Sequence, residues 1–70
     1  MPADGGLPGD AEIIAGAYAE RLCDLFKVLA EAVYAGEPER DAVVRFRRGL
    51  LSARRAYAAA LETLKEAGNG

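Results

Sequence analysis

The chain has 70 residues, of which 51% are hydrophobic, and a formal net charge of −2. A chain this short forms one domain at most and is near the size at which a single hydrophobic core is marginal. It has no histidine and one cysteine, Cys23, which excludes a histidine-based metal site and an intrachain disulfide. The small net charge also gives the whole chain no preference for nucleic acid or acidic substrates.

Residues 1–9 precede the first helical pattern and contain three glycines and two prolines. This composition predicts a flexible N-terminal arm. The segment lacks the basic start and the apolar stretch of a secretory signal, and no uncharged apolar run of the chain is long enough to span a membrane. A single cysteine is typical of a reducing compartment. We therefore expect a cytoplasmic protein without a membrane partner.

The first helix is predicted over about residues 10–35, with Asp10 as its N-cap and a glycine directly after its end. Most of its circumference is apolar, whereas an ordinary surface helix has an apolar stripe of roughly 100°. This helix therefore needs packing partners on two or more sides. Apart from Arg21, its charged residues between positions 13 and 35 fall within an arc of about 60°. They are Glu20, Asp24, Lys27 and Glu31.

The second helix is predicted over about residues 38–67, and residues 68–70 are predicted to form a C-terminal tail. Pro38 suits the first position of a helix. Because the link between the helices is only two or three residues long, residues 10–67 are expected to fold as one domain, an antiparallel helical hairpin.

Facing apolar positions set the expected register, with Tyr18 opposite Tyr57 and Leu25 opposite Leu50. Two helices joined by a tight turn cannot cover the apolar circumference of the first helix, and neither metal nor disulfides can stabilise this small chain. Oligomerisation is the remaining way to stabilise a chain of this size. The sequence predicts an all-α fold, a helical hairpin that assembles as a homodimeric four-helix bundle or as a higher assembly of such dimers.

The predicted oligomer interface combines large side chains of the first helix with a stripe of small residues on the second. Such a stripe lets another helix approach closely, and a glycine inside a helix costs about 1 kcal/mol relative to alanine, which favours a packing role. The alternative explanation is that alanine is simply a good helix former. The predicted interface residues are Tyr18, Leu22, Leu25, Phe26, Leu29, Val33, Gly49, Ala53, Ala56 and Ala60.

The middle of the second helix is basic, with five arginines and no acid between Ala42 and Leu61. Arg47 and Arg54 border the apolar face, where their stems can lie on apolar surface. Their guanidinium groups can pair with the acids of the first helix, in the same chain or across a dimer. Alternatively, the arginines bind an anionic surface of a partner protein or nucleic-acid phosphates. The candidate partner-binding residues are Val44, Arg45, Arg48, Leu51 and Arg55.

No pattern typical of catalysis is present in the sequence. Cys23 has no histidine to activate it and is interpreted as a small, half-buried side chain. Metal sites in helix bundles place glutamate and histidine inward, so the acids of the first helix are interpreted as a solvated face. We expect no enzyme activity, no cofactor and no metal.

The expected function is that of a small non-catalytic oligomerising protein, an adaptor or regulator that binds itself and another helical protein. In form, the predicted dimer is similar to the small RNA-binding hairpins of the Rop type, which control plasmid copy number and pair into four-helix bundles. This resemblance of architecture extends to no individual residue. The alternative function is nucleic-acid (RNA) binding by a bundle of this type, for which the candidates are the outward arginines of the second helix, Arg45, Arg48 and Arg55. The aromatic side chains mostly face inward, which argues against the stacking of bases on them.

Overall fold

The structure is a computed structural model that describes residues 9–69. It contains two helices, α1 (Asp10–Tyr34) and α2 (Glu39–Asn69), and no strand within those residues. The predicted all-α helical hairpin is confirmed. The helix ends differ from the prediction by one or two residues, and α2 continues through the first two positions of the predicted tail. Residues 1–8, most of the predicted arm, and residue 70 lie outside the described residues.

The N-cap of α1 is Gly9, and the predicted cap, Asp10, is instead the first helical residue. The N–H of Gly9 donates to the carboxylate of Glu12 over 3.2 Å, and the carbonyl of Gly9 accepts the N–H of Ile13 over 3.1 Å. Glu12 thus reaches back as the acidic residue of a capping box does. Asp10 still places its negative charge at the positive end of the helix.

A glycine-centred motif ends α1 as predicted. Gly36 has a φ of 88°, a left-handed conformation that a residue without a Cβ adopts at little cost. Its N–H donates to the carbonyl of Val33 over 3.1 Å, and the N–H of Glu37 donates to that of Ala32 over 3.0 Å. These two bonds form a Schellman motif, which satisfies the last carbonyls of α1 while the chain reverses direction.

The second helix, α2, begins directly after this turn. Pro38, predicted as the first helical residue, lies just before the helix, and its carbonyl accepts the N–H groups of Asp41 and Ala42 over 3.1 and 3.2 Å. Since proline has no N–H to lose, it suits this position. Glu39 and Asp41 add acidic charge to the first turn, where the helix dipole favours it.

The two helices pack in the expected register. The rings of Tyr18 and Tyr57 stack, with centroids 4.5 Å apart and planes inclined by 7°. Nearer the turn, Leu25 lies against Gly49, where a Cβ would come within 2.5 Å of Leu25 Cδ2. The missing side chain at position 49 therefore lets Leu25 approach the α2 backbone. Gly49 thus has a packing role, and the contact that it allows is between α1 and α2 of one chain.

The hairpin is a single layer of helices, with extents of 50 × 24 × 10 Å. A stable domain normally has two packed layers around one core. Among the described residues, the buried apolar residues are two alanines, Ala32 at 7% and Ala42 at 2% exposure, and no large side chain is fully buried. One copy of the hairpin therefore lacks the core that its apolar residues could form.

Candidate protein interaction surfaces

One broad side of the hairpin, here called the alanine side, contains an open groove. The stacked rings of Tyr18 and Tyr57 line it, and its volume is about 290 Å³. Small residues of both helices form the walls, so the groove is shaped to receive apolar side chains. The residues that line this groove are Ile14, Ala17, Tyr18, Arg21, Ala53, Ala56, Tyr57 and Ala60.

The alanine side continues towards the turn as two further grooves. Arg21 and Leu25 line the next groove together with Ala42 and Arg45, and Ala32 and Arg45 line the last. Charged residues occur along its whole length. Any partner that covered this side would have to desolvate those charges or pair with them.

The opposite broad side, here called the phenylalanine side, is defined by Phe26, Val33 and Val43. They directly follow Leu25, Ala32 and Ala42, which line the grooves. One residue turns a helix by about 100°, so the second set lies on the other side of the hairpin. The exposed fractions of Phe26, Val33 and Val43 are 62%, 42% and 37%. Large apolar side chains are therefore exposed on this side of the hairpin.

The outer edge of α2 carries four of the five candidate partner-binding residues. Val44 and Leu51 are each 44% exposed, and Arg48 and Arg55 are exposed beside them, all within an arc of about 60°. The fifth residue, Arg45, lies apart, because it lines the alanine-side grooves.

Arg45 is bound within its own chain. Its guanidinium donates a hydrogen bond to the carboxylate of Glu37, and the two groups form a salt bridge. That hydrogen bond and the charge of Glu37 raise the pKa of Arg45 above its ordinary value. Arg45 therefore belongs to the turn end of the hairpin.

The predicted interface residues fall into two groups. Most are half-buried between α1 and α2, so they contribute to packing within the hairpin, while Phe26, Val33 and Ala56 are exposed. Contact of any of them with a second copy stays a prediction. The predicted set left out Val28 and Val43, which are 59% and 37% exposed. The residues half-buried in the hairpin are Tyr18, Leu22, Leu25, Leu29, Gly49, Ala53 and Ala60.

The predicted ion pairs of Arg47 and Arg54 with Glu20, Asp24 or Glu31 do not form within residues 9–69 of one chain. The salt bridges of this part of the chain join Arg45 to Glu37 and Lys65 to Glu62, the latter at 3.6 Å. Pairing across a dimer stays a prediction.

Cys23, predicted to be half-buried, is exposed. No group of three or more acidic, cysteine or histidine side chains in the described part of the chain could hold a metal ion. Neither helix, over its described residues, has the length and apolar character needed to cross a membrane.

The chain matches no protein-family model, no curated protein and no solved structure.

Proposed function

We propose that this chain is a non-catalytic oligomerising protein that pairs with a second copy as a four-helix bundle and presents a helical surface to another protein. One observation carries the proposal: the buried core of the described residues consists of two alanines, while eight large apolar side chains are exposed by 37% to 88%. Exposed apolar residues that share one surface mark a protein interaction site, and Phe26, Val33 and Val43 share the phenylalanine side.

The energy of association favours a second copy. Fully burying a valine or phenylalanine side chain contributes about 1.5–3 kcal/mol. A symmetric dimer buries each interface residue twice, once in each copy. Phe26, Val33 and Val43 are still 62%, 42% and 37% exposed, so covering them in both copies contributes about 4–8 kcal/mol. This is comparable with the lower end of the roughly 4–15 kcal/mol of entropy lost when two chains associate.

The outer edge of α2 is the surface proposed for the second protein. It stays exposed whichever broad side a second copy covers, because Val44 and Leu51 point away from α1. Arg48 and Arg55 alternate with them along this edge and form no salt bridge within the described residues. This pattern fits an amphipathic helix whose apolar stripe is bordered by acids.

A matched pair of variants tests this adaptor function. Leu51→Glu places a charge on the proposed surface, and Tyr34→Glu replaces an 88% exposed apolar side chain of α1, away from that surface. We expect both variants to keep the wild-type mass in light scattering. We also expect the Leu51→Glu variant, but not the Tyr34→Glu variant, to fail to capture proteins that the tagged wild type captures from an extract of its source organism. Equal capture by all three would contradict the proposed surface.

RNA binding is the second candidate function. The exposure of Arg48 and Arg55, and their lack of an ion pair in the described region, favour it. Binding through phosphates weakens steeply as salt rises. The charge reversal Arg48→Glu/Arg55→Glu should then abolish retention of labelled RNA on a filter at low salt. Unchanged retention by this variant would show that these arginines bind no RNA.

A further inference from the structure

We infer that copies of this chain stack face to back, so that the phenylalanine side of one copy covers the alanine side of the next. The two copies differ by a half turn about the normal to the helix layer, which lays α2 of each copy parallel to α1 of the other. Each adjacent pair is then a four-helix bundle. The inference rests on the proposed self-association and adds which sides meet. Every copy within such a stack has its phenylalanine side covered, as both copies of a symmetric pair would.

The phenylalanine side carries unpaired basic charge on α2. Arg47 and Arg54 directly follow Phe46 and Ala53, which line the alanine-side grooves, and one residue turns a helix by about 100°. Both arginines therefore stand on the phenylalanine side. They are exposed and form no salt bridge within the described residues. A partner that covered this side would have to supply acids at two positions about two turns apart.

The alanine side carries the acids that such a partner needs. Asp24 and Glu31 line its grooves on α1, with Arg21 beside them. None of these three forms a salt bridge in the described part of the chain, whereas Arg45 and Glu37, which also line the grooves, are paired with each other. The unpaired groups of the grooves therefore carry a net charge of −1, against +2 for the two arginines of the phenylalanine side. The two sides of the hairpin are complementary in charge, so a second copy fits as the partner.

One register brings these charges together. Asp24 lies 23 positions before Arg47, and Glu31 lies 23 positions before Arg54. Because α1 of one copy and α2 of the other run parallel in the stack, a single offset of 23 residues sets both pairs at matching levels. Both ion pairs can then form at once, and the stems of the arginines pass over Val28, which lies between the two acids on α1. A carboxylate at position 28 would itself be paired there.

The same register sets large side chains over small ones. The half turn gives the other pair of helices an equal offset, and Phe26 lies 23 positions before Gly49, as Val33 lies before Ala56. Gly49 and Ala56 are two turns apart on α2, and Ala56 lines the alanine-side groove. Neither projects far from the helix, so Val33 can sit on Ala56 and Phe26 can rest on Leu25 where it crosses Gly49.

Stacking without the half turn would leave the charges unmatched. Like helices would then lie over each other, so that Arg47 of one copy approaches Arg45 of the next and the acids of α1 face Phe26. Unpaired charges in a covered surface cost free energy. With the half turn, residues 16–34 of α1 lie along residues 39–57 of the neighbour's α2, about five helical turns in each of two helix pairs.

Two double variants test the charge pairing. Arg47→Glu/Arg54→Glu changes the phenylalanine side, and Asp24→Arg/Glu31→Arg changes the alanine side. All four positions are exposed, so both proteins should fold. Each alone should associate about tenfold more weakly than the wild type at low salt, because like charges meet in its contacts. An equal mixture should regain the wild-type association, because the introduced acids of one protein then meet the introduced bases of the other.

Two single variants test the apolar half of the contact. Phe26→Glu blocks the phenylalanine side, and Ala56→Glu blocks the alanine side. Each protein alone lacks one of the two surfaces that a face-to-back contact needs, so it should not associate. Their mixture should form a pair that cannot grow, because one combination of intact surfaces remains. If the blocked chains are unfolded alone, the helical signal in circular dichroism should rise on mixing. A mixture without a pair and without this rise would contradict the inference.

Sedimentation equilibrium of each protein and each mixture measures the masses. The wild type should grow beyond two chains as its concentration rises, because a contact between two different surfaces does not close on itself under this symmetry. A mass that stops at two chains, or full association of Asp24→Arg/Glu31→Arg or Ala56→Glu alone, would overturn the face-to-back contact in favour of a symmetric pair. A wild type that stays monomeric would contradict self-association itself.

Discussion

The alanine side and the phenylalanine side of this hairpin are one residue apart along the chain and have different properties. Leu25 and Ala42 line open grooves, while Phe26 and Val43, the next residues, are exposed on the opposite side, which on α2 also carries Arg47 and Arg54. A step of about 100° around each helix separates them. Because the protein is one helix layer thick, solvent reaches both of its broad sides. The apolar residues on each side therefore need a partner.

The largest expected effect comes from placing a charge on the phenylalanine side. Phe26→Glu should weaken self-association by at least about a hundredfold, equivalent to roughly 3 kcal/mol, because it buries an unpaired charge in each copy. Val28→Glu is the matched control, since Val28 is similarly exposed, at 59% against 62%, but lies on the alanine side. Sedimentation equilibrium measures both dissociation constants. If Val28→Glu weakened the dimer and Phe26→Glu did not, the assignment of the two sides would be reversed.

Charge reversal at the border of the phenylalanine side should have a smaller effect. We expect Arg47→Glu/Arg54→Glu to raise the dissociation constant about tenfold at low salt, because attraction to the acids of the partner becomes repulsion. The difference from the wild type should shrink as salt screens the charges. Arg48→Glu/Arg55→Glu, which changes net charge equally on the outer edge, is the control. Equal weakening by both double variants would indicate an effect of net charge alone.

Two glycine substitutions test the packing between α1 and α2. Gly16→Ala should stabilise the protein by about 1 kcal/mol, since alanine is the better helix former and a Cβ there meets nothing within 4 Å. Gly49→Ala should stabilise the protein by less than this, or destabilise it, because the added Cβ would force Leu25 to move. Urea unfolding of both variants at one protein concentration measures the difference. Equal stabilisation by both variants would mean that the packing of Leu25 against α2 does not require a glycine at position 49.

The smallest effect is expected at the turn end of the alanine side. Glu37→Gln removes the salt bridge to Arg45, but both side chains are about half exposed, and exposed ion pairs contribute little to stability. We expect no measurable change in the melting temperature followed by circular dichroism. A clear decrease would show that this ion pair holds the turn in place.

The helices and their register could be predicted because several local signals agree. Apolar spacing, the glycine at position 36 and Pro38 all indicate the same turn, and the pairing of Tyr18 with Tyr57 follows from it. The N-cap could not be predicted in the same way. Asp10 is the stronger capping residue by type, but the chain uses Gly9 and compensates with Glu12, a choice that depends on the path of the backbone.

The division of the apolar residues between two sides could be predicted only in part. The expected register places Leu25 opposite α2, and its contact with Gly49 agrees with this. The spacing does not predict that Phe26, which belongs to the same broad apolar arc of α1, is left 62% exposed. Likewise, Arg45 pairs with Glu37 of the turn, which no helical periodicity relates to it. Both contacts depend on how the two helix axes approach each other.

The central claim is that the hairpin is stable only when a second copy completes its core. Sedimentation equilibrium combined with circular dichroism, over a dilution series from high to low micromolar concentration, tests it most directly. The account predicts a helical species of at least twice the 7.4 kDa chain mass, with a melting temperature that falls on dilution as the subunits separate. A fully helical, cooperatively melting species of 7.4 kDa, with a melting temperature independent of concentration, would contradict it.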